Sequence, residues 1–525
     1  MTGLVVMASC KKDYLNHPSD NNPTVDVYYN TPEQVNGATG YLYNTAWYDY
    51  QDKAFHAIGE VLSGNMLTSA GDVNYGSNSY VNFTVLSTDV LVQLSWKSFY
   101  KVAGQATVLI NTFEQKKATV GGNTAFLDQG IAEARFIRGM AYFYITRSFG
   151  DVPIVTDPVA LAGSGDYNVP RYFQKDVLRF ALEDFKFARN NLPASPYQPG
   201  RITKYSAAGM MAKLYLYSGN YDSARIAANE VIQSGKYDLF PDYGAMFTSS
   251  KNNNNIESLF AFQWIASGGY GFANPIQAYG APAPLLKPVT NTGYSSVIPS
   301  LDMLKAYEPG DKRRAWSVME QGFTRADWIN SNFPTGFKYD TANHLNDATH
   351  ITTGTRSNSL KYVVGPGANG EPLTPNGSSN ICTYILRYAD ILLIYAEAVL
   401  GSNASTTDAD ALKYFNKVHH VRAGLPEVTS LTKDLIMHER RVEFAFEGDY
   451  WFDVQRWGGT SIDQRFAKAQ QIVNAQERGT LSFDGATVNH VAATFTRKEQ
   501  LFLPIPQSET VQDPKLNEPA VAYYK

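Results

Sequence analysis

Apolar side chains recur three and four positions apart in several separate stretches of this chain. In the stretch 129–149, for example, Ile137, Ala141 and Ile145 follow one another at that spacing. Such spacing places the side chains on one face of an α-helix. The stretch 171–190 repeats the pattern. Both stretches are therefore predicted to be amphipathic helices that bury one face.

A helical hairpin is predicted between residues 205 and 234. The stretches 205–217 and 221–234 are rich in alanine and apolar residues, and a Ser-Gly-Asn turn centred on Gly219 separates them. Small residues let two helices approach closely, and a helix pair of about 34 residues is similar to a tetratricopeptide-type repeat. One such repeat cannot bury its own apolar face. The hairpin is therefore expected to stack on neighbouring helices.

The same pattern returns towards the C-terminus. The stretches 386–400 and 407–422 are predicted to form a second hairpin, and 432–447 a further helix. Between the two groups of helices lies the segment 236–385, which is rich in Gly, Pro, Asn and Tyr. We expect the helices on either side to stack into one scaffold. The segment 236–385 is then an insertion on one side of it, where loops tend to carry function.

Composition excludes several classes of protein. The chain has 525 residues, 44% of them hydrophobic, which is ample for a real core. Its 45 basic and 49 acidic residues give a formal charge of −4, so a nucleic-acid partner is not expected. Two cysteines without a CxxC pair predict neither a disulfide framework nor structural zinc, and no cofactor is indicated. The apolar stretch 381–400 contains three charged residues, which argues against a membrane-spanning helix.

The first residues resemble a lipobox. An apolar run ends in Ala8-Ser9 and is followed by Cys10. A cysteine directly after a signal-peptide cleavage site can take acyl chains and become the new N-terminus. Residues 1–9 are therefore predicted to be residual signal peptide, Cys10 the lipidation site, and 10–28 a lipidated N-terminus and tether. The alternative is that residues 4–10 form an ordinary buried strand.

Three carboxylates recur on one predicted helix face, at Glu439, Glu443 and Glu447. Alone they would suggest acid/base catalysis, but like charges at this spacing repel unless cations neutralise them. Five arginines in the neighbouring segments could do so: Arg387, Arg422, Arg440, Arg441 and Arg456. A structural network of ion pairs is therefore the favoured interpretation, and no catalytic residue is predicted.

Aromatic residues in irregular chain are the best candidates for a ligand site. The chain contains 34 tyrosines and 7 tryptophans, many of them among Gly, Asn and Pro, where a ring is less often fully buried than on a helix. A flat ring can cover the C–H face of a sugar, while acid and amide side chains bond its hydroxyl rim. The predicted stacking residues are Trp264, Tyr270, Tyr279 and Trp328. The predicted partners at the edge of this platform are Asp72, Tyr75, Asn78 and Tyr80.

Short motifs along nearly the whole chain resemble those of the SusD/RagB family of bacterial outer-membrane lipoproteins. They are Cys10 with 13–15 (DYL), 133–138 (EARFIR) with 149–153 (FGDVP), 386–390 (LRYAD) with 395–398 (YAEA), 422–426 (RAGLP), 439–448 (ERRVEFAFEG) with 451–453 (WFD) and 456–458 (RWG), and 503–507 (LPIPQ). Any one of them would be a weak signal. Their shared order and spacing make chance similarity very unlikely.

The resemblance implies a mainly α fold, a superhelix of about four tetratricopeptide-like hairpins packed against a large irregular, loop-rich region. It also implies a surface-exposed outer-membrane protein that binds glycan without catalysis, beside a SusC-like TonB-dependent transporter. On this basis residues 29–525 form a single body. Its parts are the scaffold at 29–235 and 386–460, the ligand-binding insertion at 236–385 and a C-terminal segment at 461–525. A glycoside hydrolase and a protein-only interaction scaffold are the alternatives.

Overall fold

Helices make up most of the regular structure in this computed structural model. It describes residues 28–68, 79–341, 353–366, 371, 373–482 and 485–525. Within these ranges the α-helices are α1 (Pro32–Gly40), α2 (Ser79–Asn82), α3 (Val90–Thr119), α4 (Ala125–Phe149), α5 (Pro158–Ser164), α6 (Gln174–Asn191), α7 (Lys204–Tyr217), α8 (Tyr221–Gln233), α9 (Tyr243–Thr248), α10 (Ile276–Gly280), α11 (Ala283–Thr290), α12 (Leu301–Ala306), α13 (Arg313–Ser317), α14 (Tyr388–Leu400), α15 (Ala409–Asn416), α16 (Lys433–Glu443), α17 (Tyr450–Val454), α18 (Ile462–Ala475) and α19 (Gln507–Gln512). Three π-helical segments lie at Tyr50–Ala54, Ala57–Val61 and Lys417–Arg422.

The strands are short and form antiparallel pairs. They are β1 (Met66–Thr68), β2 (Ser258–Phe262), β3 (Val297–Pro299), β4 (Val318–Glu320), β5 (Thr324–Arg325), β6 (Phe337–Lys338), β7 (Ser357–Ser359), β8 (Thr383–Arg387), β9 (Ser405–Thr406), β10 (Leu431–Thr432), β11 (Gly479–Leu481) and β12 (Val488–His490). The pairs are β1 with β3, β2 with β8, β4 with β7, β5 with β6, β9 with β10, and β11 with β12. Each sheet within the described residues therefore has only two strands.

Consecutive long helices pack against one another, as the sequence predicts. Helix α3 contacts α4, α4 contacts α6, and α7 contacts α8. Across the insertion, α8 packs on α14, which in turn contacts α15. The two groups of helices thus form one stack, and the predicted mainly α hairpin architecture is confirmed.

The hairpin of α7 and α8 shows why its sequence folds this way. The Thr203 side chain caps the start of α7 by accepting hydrogen bonds from the N–H groups of Tyr205 and Ser206. Gly219 has φ +73°, in the left-handed region that favours glycine. Ala212 and Ala228 are fully buried. Small side chains at these positions allow the two helices and their neighbours to pack closely.

The insertion begins and ends on a common stem, because β2 pairs with β8 across about 120 intervening residues. Between them the chain builds a small core of its own around Trp328, Phe337 and Tyr339. The main core runs through the helical scaffold and includes β2 and β8. No helix in the described part of the chain has the length and apolar character needed to cross a bilayer.

Glu443 lies at the centre of a buried network of ion pairs. Its carboxylate accepts hydrogen bonds from Arg422 (2.6 Å), Arg387 (3.0 Å) and Arg313 (3.0 Å). Burial alone would raise the pKa of Glu443, but these guanidinium groups hold it well below its ordinary value. Glu447 pairs with Arg387 and with Lys361. The predicted structural network is therefore present, and it includes Arg313 and Lys361, which the sequence did not indicate.

Two of the five predicted arginines belong to a second buried network. Arg440 pairs with Asp390 and Asp453, and Arg456 pairs with Asp453 and Glu397. The fifth, Arg441, pairs with Asp302. Their assignment to the three glutamates of α16 and the turn after it is thus corrected. Arg440 and Arg441 leave α16 in directions that sequence spacing alone does not fix, and Arg456 lies in the turn after α17.

Candidate ligand-binding site

Tyr270 stands at the tip of a tight surface loop and is 70% exposed. The loop is closed at its base, where the N–H of Ile265 donates to the carbonyl of Phe272 at 2.8 Å. Gly269 and Gly271 flank the tyrosine with φ +78° and +88°, values that residues with a Cβ rarely adopt. The two glycines therefore allow the turn that projects this ring.

Three further tyrosines are linked to Tyr270 by ring contacts or through Asp52, and together they form what we call the tyrosine cluster: Tyr48, Tyr270, Tyr279 and Tyr294. The Tyr48 and Tyr270 rings meet edge to face, with centroids 5.2 Å apart. The Tyr279 and Tyr294 rings lie 6.0 Å apart, with their planes inclined by 34°. Tyr294 is 49% exposed, whereas Tyr48 is almost buried and supports the loop from below.

Asp52 connects the two halves of the tyrosine cluster. The Tyr279 hydroxyl donates to Asp52 Oδ1 at 2.9 Å. Burial raises the pKa of Asp52, and the hydrogen bond from Tyr279 and the charge of Lys53 oppose that rise. Burial also raises the pKa of Tyr48, and the charge of Asp52 adds to that effect. The cluster thus combines two exposed rings with a carboxylate that the half-buried Tyr279 holds in place.

Lys53 completes the polar side of the cluster, with its Nζ 5.5 Å from the centre of the Tyr279 ring. The segment that carries Tyr48, Asp52 and Lys53 runs through a π-helical turn at Tyr50–Ala54 and packs on α3. Turns of this type are frequent at functional sites, since the extra residue re-aims side chains. Rings, an acid and a base are therefore presented together on a rigid support.

The structure places three of the predicted site residues in the interior. Trp328 is fully buried in the small core of the insertion, and Tyr80 is fully buried with its hydroxyl donating to Asp89 at 2.9 Å. Trp264 is 5% exposed, and its Nε1 donates to Thr383 Oγ1 at 2.9 Å. A buried ring has no open face for a ligand. This corrects the predicted set: these three residues pack the structure, and Trp264 supports Tyr48 from below.

Tyr270 and Tyr279 are the predicted residues that the structure brings together. Asp72, Tyr75 and Asn78 lie outside the described residues, as does the predicted lipidation site Cys10. The described chain before residue 69 ends on β1, where Thr68 pairs with Val297, three residues after Tyr294. A role for Asp72, Tyr75 and Asn78 at the edge of the cluster stays a prediction.

The sequence did not single out Tyr48, Asp52 and Lys53 as ligand residues, because they lie in the N-terminal scaffold and not in a Gly- or Asn-rich loop. A signal was present: the segment 41–50 contains four tyrosines and a tryptophan. Some of these rings pack inwards, as Tyr50 does.

Within the described ranges, no group of His, Cys, Asp and Glu side chains is arranged to hold a metal ion.

Comparison with known proteins decides the family. Residues 256–523 match the model of the SusD family, and residues 13–216 match a model described as starch-binding, associating with outer membrane. A SusD-like protein from Bacteroides ovatus is 32% identical to this chain, over 99% of it and 97% of the relative. The chain belongs to the SusD family. The resemblance seen in the sequence motifs is thereby confirmed.

Solved structures agree with this SusD-family assignment. A crystal structure with bound xylogluco-oligosaccharide is 31% identical, has a TM-score of 0.79, and is matched over 94% of this chain and 99% of the other. A SusD-like carbohydrate-binding protein from Bacteroides fragilis shares the fold, with a TM-score of 0.72 at 21% identity, over 93% of this chain and 99% of that one.

Proposed function

We propose that this SusD-family protein binds neutral oligosaccharides at the tyrosine cluster, and that xyloglucan-type chains are its ligands. The observation that carries the proposal is the pair of exposed rings, Tyr270 and Tyr294, beside the partly exposed carboxylate of Asp52. Rings cover the apolar faces of sugars, and a carboxylate accepts hydrogen bonds from their hydroxyls. The cluster supplies both within one surface.

The relative with bound xylogluco-oligosaccharide supports the choice of ligand, because it shares 31% of its residues with this chain over nearly the whole length. The charges of the cluster agree with a neutral sugar. Asp52 is matched by Lys53, so the surface offers neither a strongly basic nor a strongly acidic field. Hydroxyl-rich, uncharged chains suit such a surface best.

The same proposal extends to location and partner. Acylation at Cys10 would anchor the protein to the outer membrane with its body at the cell surface. There it would present captured glycan to a SusC-like TonB-dependent transporter. The support is family membership together with the lipobox-like sequence, and the family model for residues 13–216 is described as associating with outer membrane.

We propose no catalytic step. The three recurring carboxylates of the sequence, Glu439, Glu443 and Glu447, are buried in ion pairs and are not free to act as the acids of a glycoside hydrolase. A hydrolase needs an acid with raised pKa and a second carboxylate across an open cleft. Release of reducing sugar from xyloglucan by the purified protein would favour the hydrolase. Absence of any glycan binding would favour the protein-only scaffold.

The deciding experiment is calorimetric titration of a xylogluco-oligosaccharide into the wild type and Tyr270→Ala. Loss of an anchoring ring should weaken binding by about 5- to 150-fold. Since Tyr270 is largely exposed, the melting temperature should stay unchanged. Tyr167→Ala is the matched control, because it removes a 51% exposed tyrosine from the loop before α6. Equal affinity in wild type and Tyr270→Ala would contradict the proposed site.

A further inference from the structure

A cavity of about 580 Å³ shares no lining residue with the tyrosine cluster. Its walls come from the loop 238–243, from α13 and from the π-helical segment Lys417–Arg422. None of these elements contributes to the tyrosine cluster. Its volume falls in the range of about 300 to 1,000 Å³ that is typical of small-ligand sites.

Trp316 forms one wall of this cavity and is 38% exposed. The other six tryptophans of the chain are at most 5% exposed. One face of the Trp316 ring lies against the backbone of Gly244, so closely that a Cβ there would come within 1.7 Å of the ring. The ring is thus held in one orientation, with the remaining part of its surface open to the cavity.

The contact with the Trp316 ring explains why residue 244 is a glycine. Gly244 lies within α9 and does not have a positive φ, so its backbone conformation is open to any residue. What excludes a side chain is the tryptophan ring above it. A glycine inside a helix is unfavourable by about 0.5 to 1 kcal/mol relative to alanine. At position 244 this glycine leaves room for the Trp316 ring, which is thereby supported and stays partly exposed.

The polar groups around the ring are close to balanced in charge. Lys417 is paired with Asp238 at 2.6 Å, and Arg422 is paired with Glu257 and Glu443. Asp242 caps α9, with one carboxylate oxygen accepting from the N–H of Ala245 at 3.0 Å. Lys312, at the start of α13, is exposed and also lines the cavity. An ammonium donor and a carboxylate acceptor thus remain at the rim, which suits the hydroxyls of a neutral sugar.

We propose that this cavity is a second carbohydrate-contact site, in which Trp316 stacks against one ring of a neutral pyranoside chain and Lys312 and Asp242 bond its hydroxyls. It is distinct from the tyrosine cluster and holds its ligand independently of it. Two contacts on one molecule raise the effective concentration of a long chain at the second site once the first is occupied. The second site therefore favours polysaccharide over short oligosaccharide.

Quenching of tryptophan fluorescence by acrylamide tests the site directly, because Trp316 is the exposed tryptophan. The probes are three neutral polymers, namely xyloglucan, amylopectin and galactomannan, with polygalacturonate as the acidic comparison. We expect at least one neutral polymer to protect the accessible fluorescence, and polygalacturonate to protect it less. Protection should persist in Tyr270→Ala, which separates this site from the tyrosine cluster. If no neutral polymer protects Trp316, the proposal is overturned, and a protein-contact role for the ring replaces it.

Affinity electrophoresis in gels containing the protective polymer provides the second measurement. Trp316→Ala should weaken retardation by about fivefold or more, while calorimetric affinity for the short oligosaccharide stays that of the wild type. Gly244→Ala keeps the tryptophan but displaces it, and should have the same effect. Ile226→Ala, which removes a side chain 62% exposed on α8, is the control. Wild-type retardation of folded Trp316→Ala would refute the site even if the tyrosine cluster binds glycan.

Discussion

At the scale of single residues, Glu443 shows how strongly one buried charge can depend on its partners. Three arginines contact its carboxylate, and all four side chains are almost completely removed from water. Buried charges are tolerated only when they are paired and hydrogen-bonded. Without the Glu443 carboxylate the arginines would be buried and unpaired, and without the arginines the carboxylate would be.

Glu443→Gln should lower the free energy of unfolding by about 3 to 5 kcal/mol, because it leaves buried guanidinium groups without their counter-charge. Urea denaturation followed by circular dichroism measures the change. Glu183→Gln removes one half of an exposed pair with Arg179 and should have an effect below about 1 kcal/mol. Similar losses in both variants would show that the network does not stabilise the fold in this way.

A pH effect is expected from Glu60 and His56. Burial raises the pKa of Glu60 from 4.5 to about 7, against opposing hydrogen bonds from Asn65 and the backbone of residues 446 and 448. The folded protein then holds a proton that the unfolded chain has lost, so this group makes stability fall as pH rises from about 4.5 to 7. Burial lowers the pKa of His56 from 6.5 to about 4, so that group makes stability rise between these two values. The two effects oppose each other in the wild type.

In Glu60→Gln, the pH dependence of stability that comes from His56 should no longer be offset by Glu60. The stability of the variant minus that of the wild type should increase between pH 5 and 7, by at most about 1.4 kcal/mol per pH unit. His56→Asn should change with the opposite sign. Denaturation curves at several pH values measure both differences. A difference independent of pH would mean that Glu60 is already ionised throughout this range.

Single residues also mark where sequence reasoning succeeded and failed. The sequence predicts an exposed Tyr270 because a ring among Gly and Asn residues is less often fully buried than one on a helix, and the structure shows that two glycines with positive φ flank it. Trp328 shared that loop-like sequence context, but the insertion folds around it into a core of its own. Arg313 lies in the insertion, far in sequence from the glutamates it contacts. Only the tertiary fold brings them together.

At the scale of elements, the α7–α8 hairpin followed from sequence almost to the residue. Its alanines, its Thr203 cap and Gly219 are local signals that need no distant partner. Other elements depend on tertiary context. Residues 386 and 387 read as the start of a helix but pair with β2, so α14 begins at Tyr388. The long helix α3 was not predicted, and its many β-branched residues explain why.

Close packing at the hairpin predicts the effect of Ala228→Phe. Ala228 is fully buried on α8, so a phenylalanine there should overpack the contact and lower the free energy of unfolding by about 1 to 3 kcal/mol. Ile226→Phe, at a 62% exposed position of the same helix, should leave stability nearly unchanged. The folded fraction of both variants should keep its oligosaccharide affinity. Loss of affinity at unchanged stability would instead place a ligand site on these helices.

At the scale of the whole molecule, the prediction concerns attachment to the membrane. Expressed behind an added secretion signal, the wild type should fractionate with membranes, since one or two acyl chains contribute about 0.8 kcal/mol per buried CH₂. Cys10→Ala should release the protein into the soluble fraction in cells without the transporter. Ser9→Ala, which keeps a small residue before the cysteine, is the matched control. Persistent membrane association of Cys10→Ala would argue against the lipid anchor.

The buried network around Glu443 also bears on when this chain can fold. Glu257 and Arg313 belong to the insertion, whereas Arg387, Arg422 and Glu443 follow it in the chain. A chain that has been synthesised only through the insertion would have to bury charges whose partners do not yet exist, at several kcal/mol each. The compact state is thus out of reach until residues 439–447 are present. For a lipoprotein exported as an unfolded chain, as the lipobox proposal requires, such late closure keeps the polypeptide unfolded until residues 439–447 have been made.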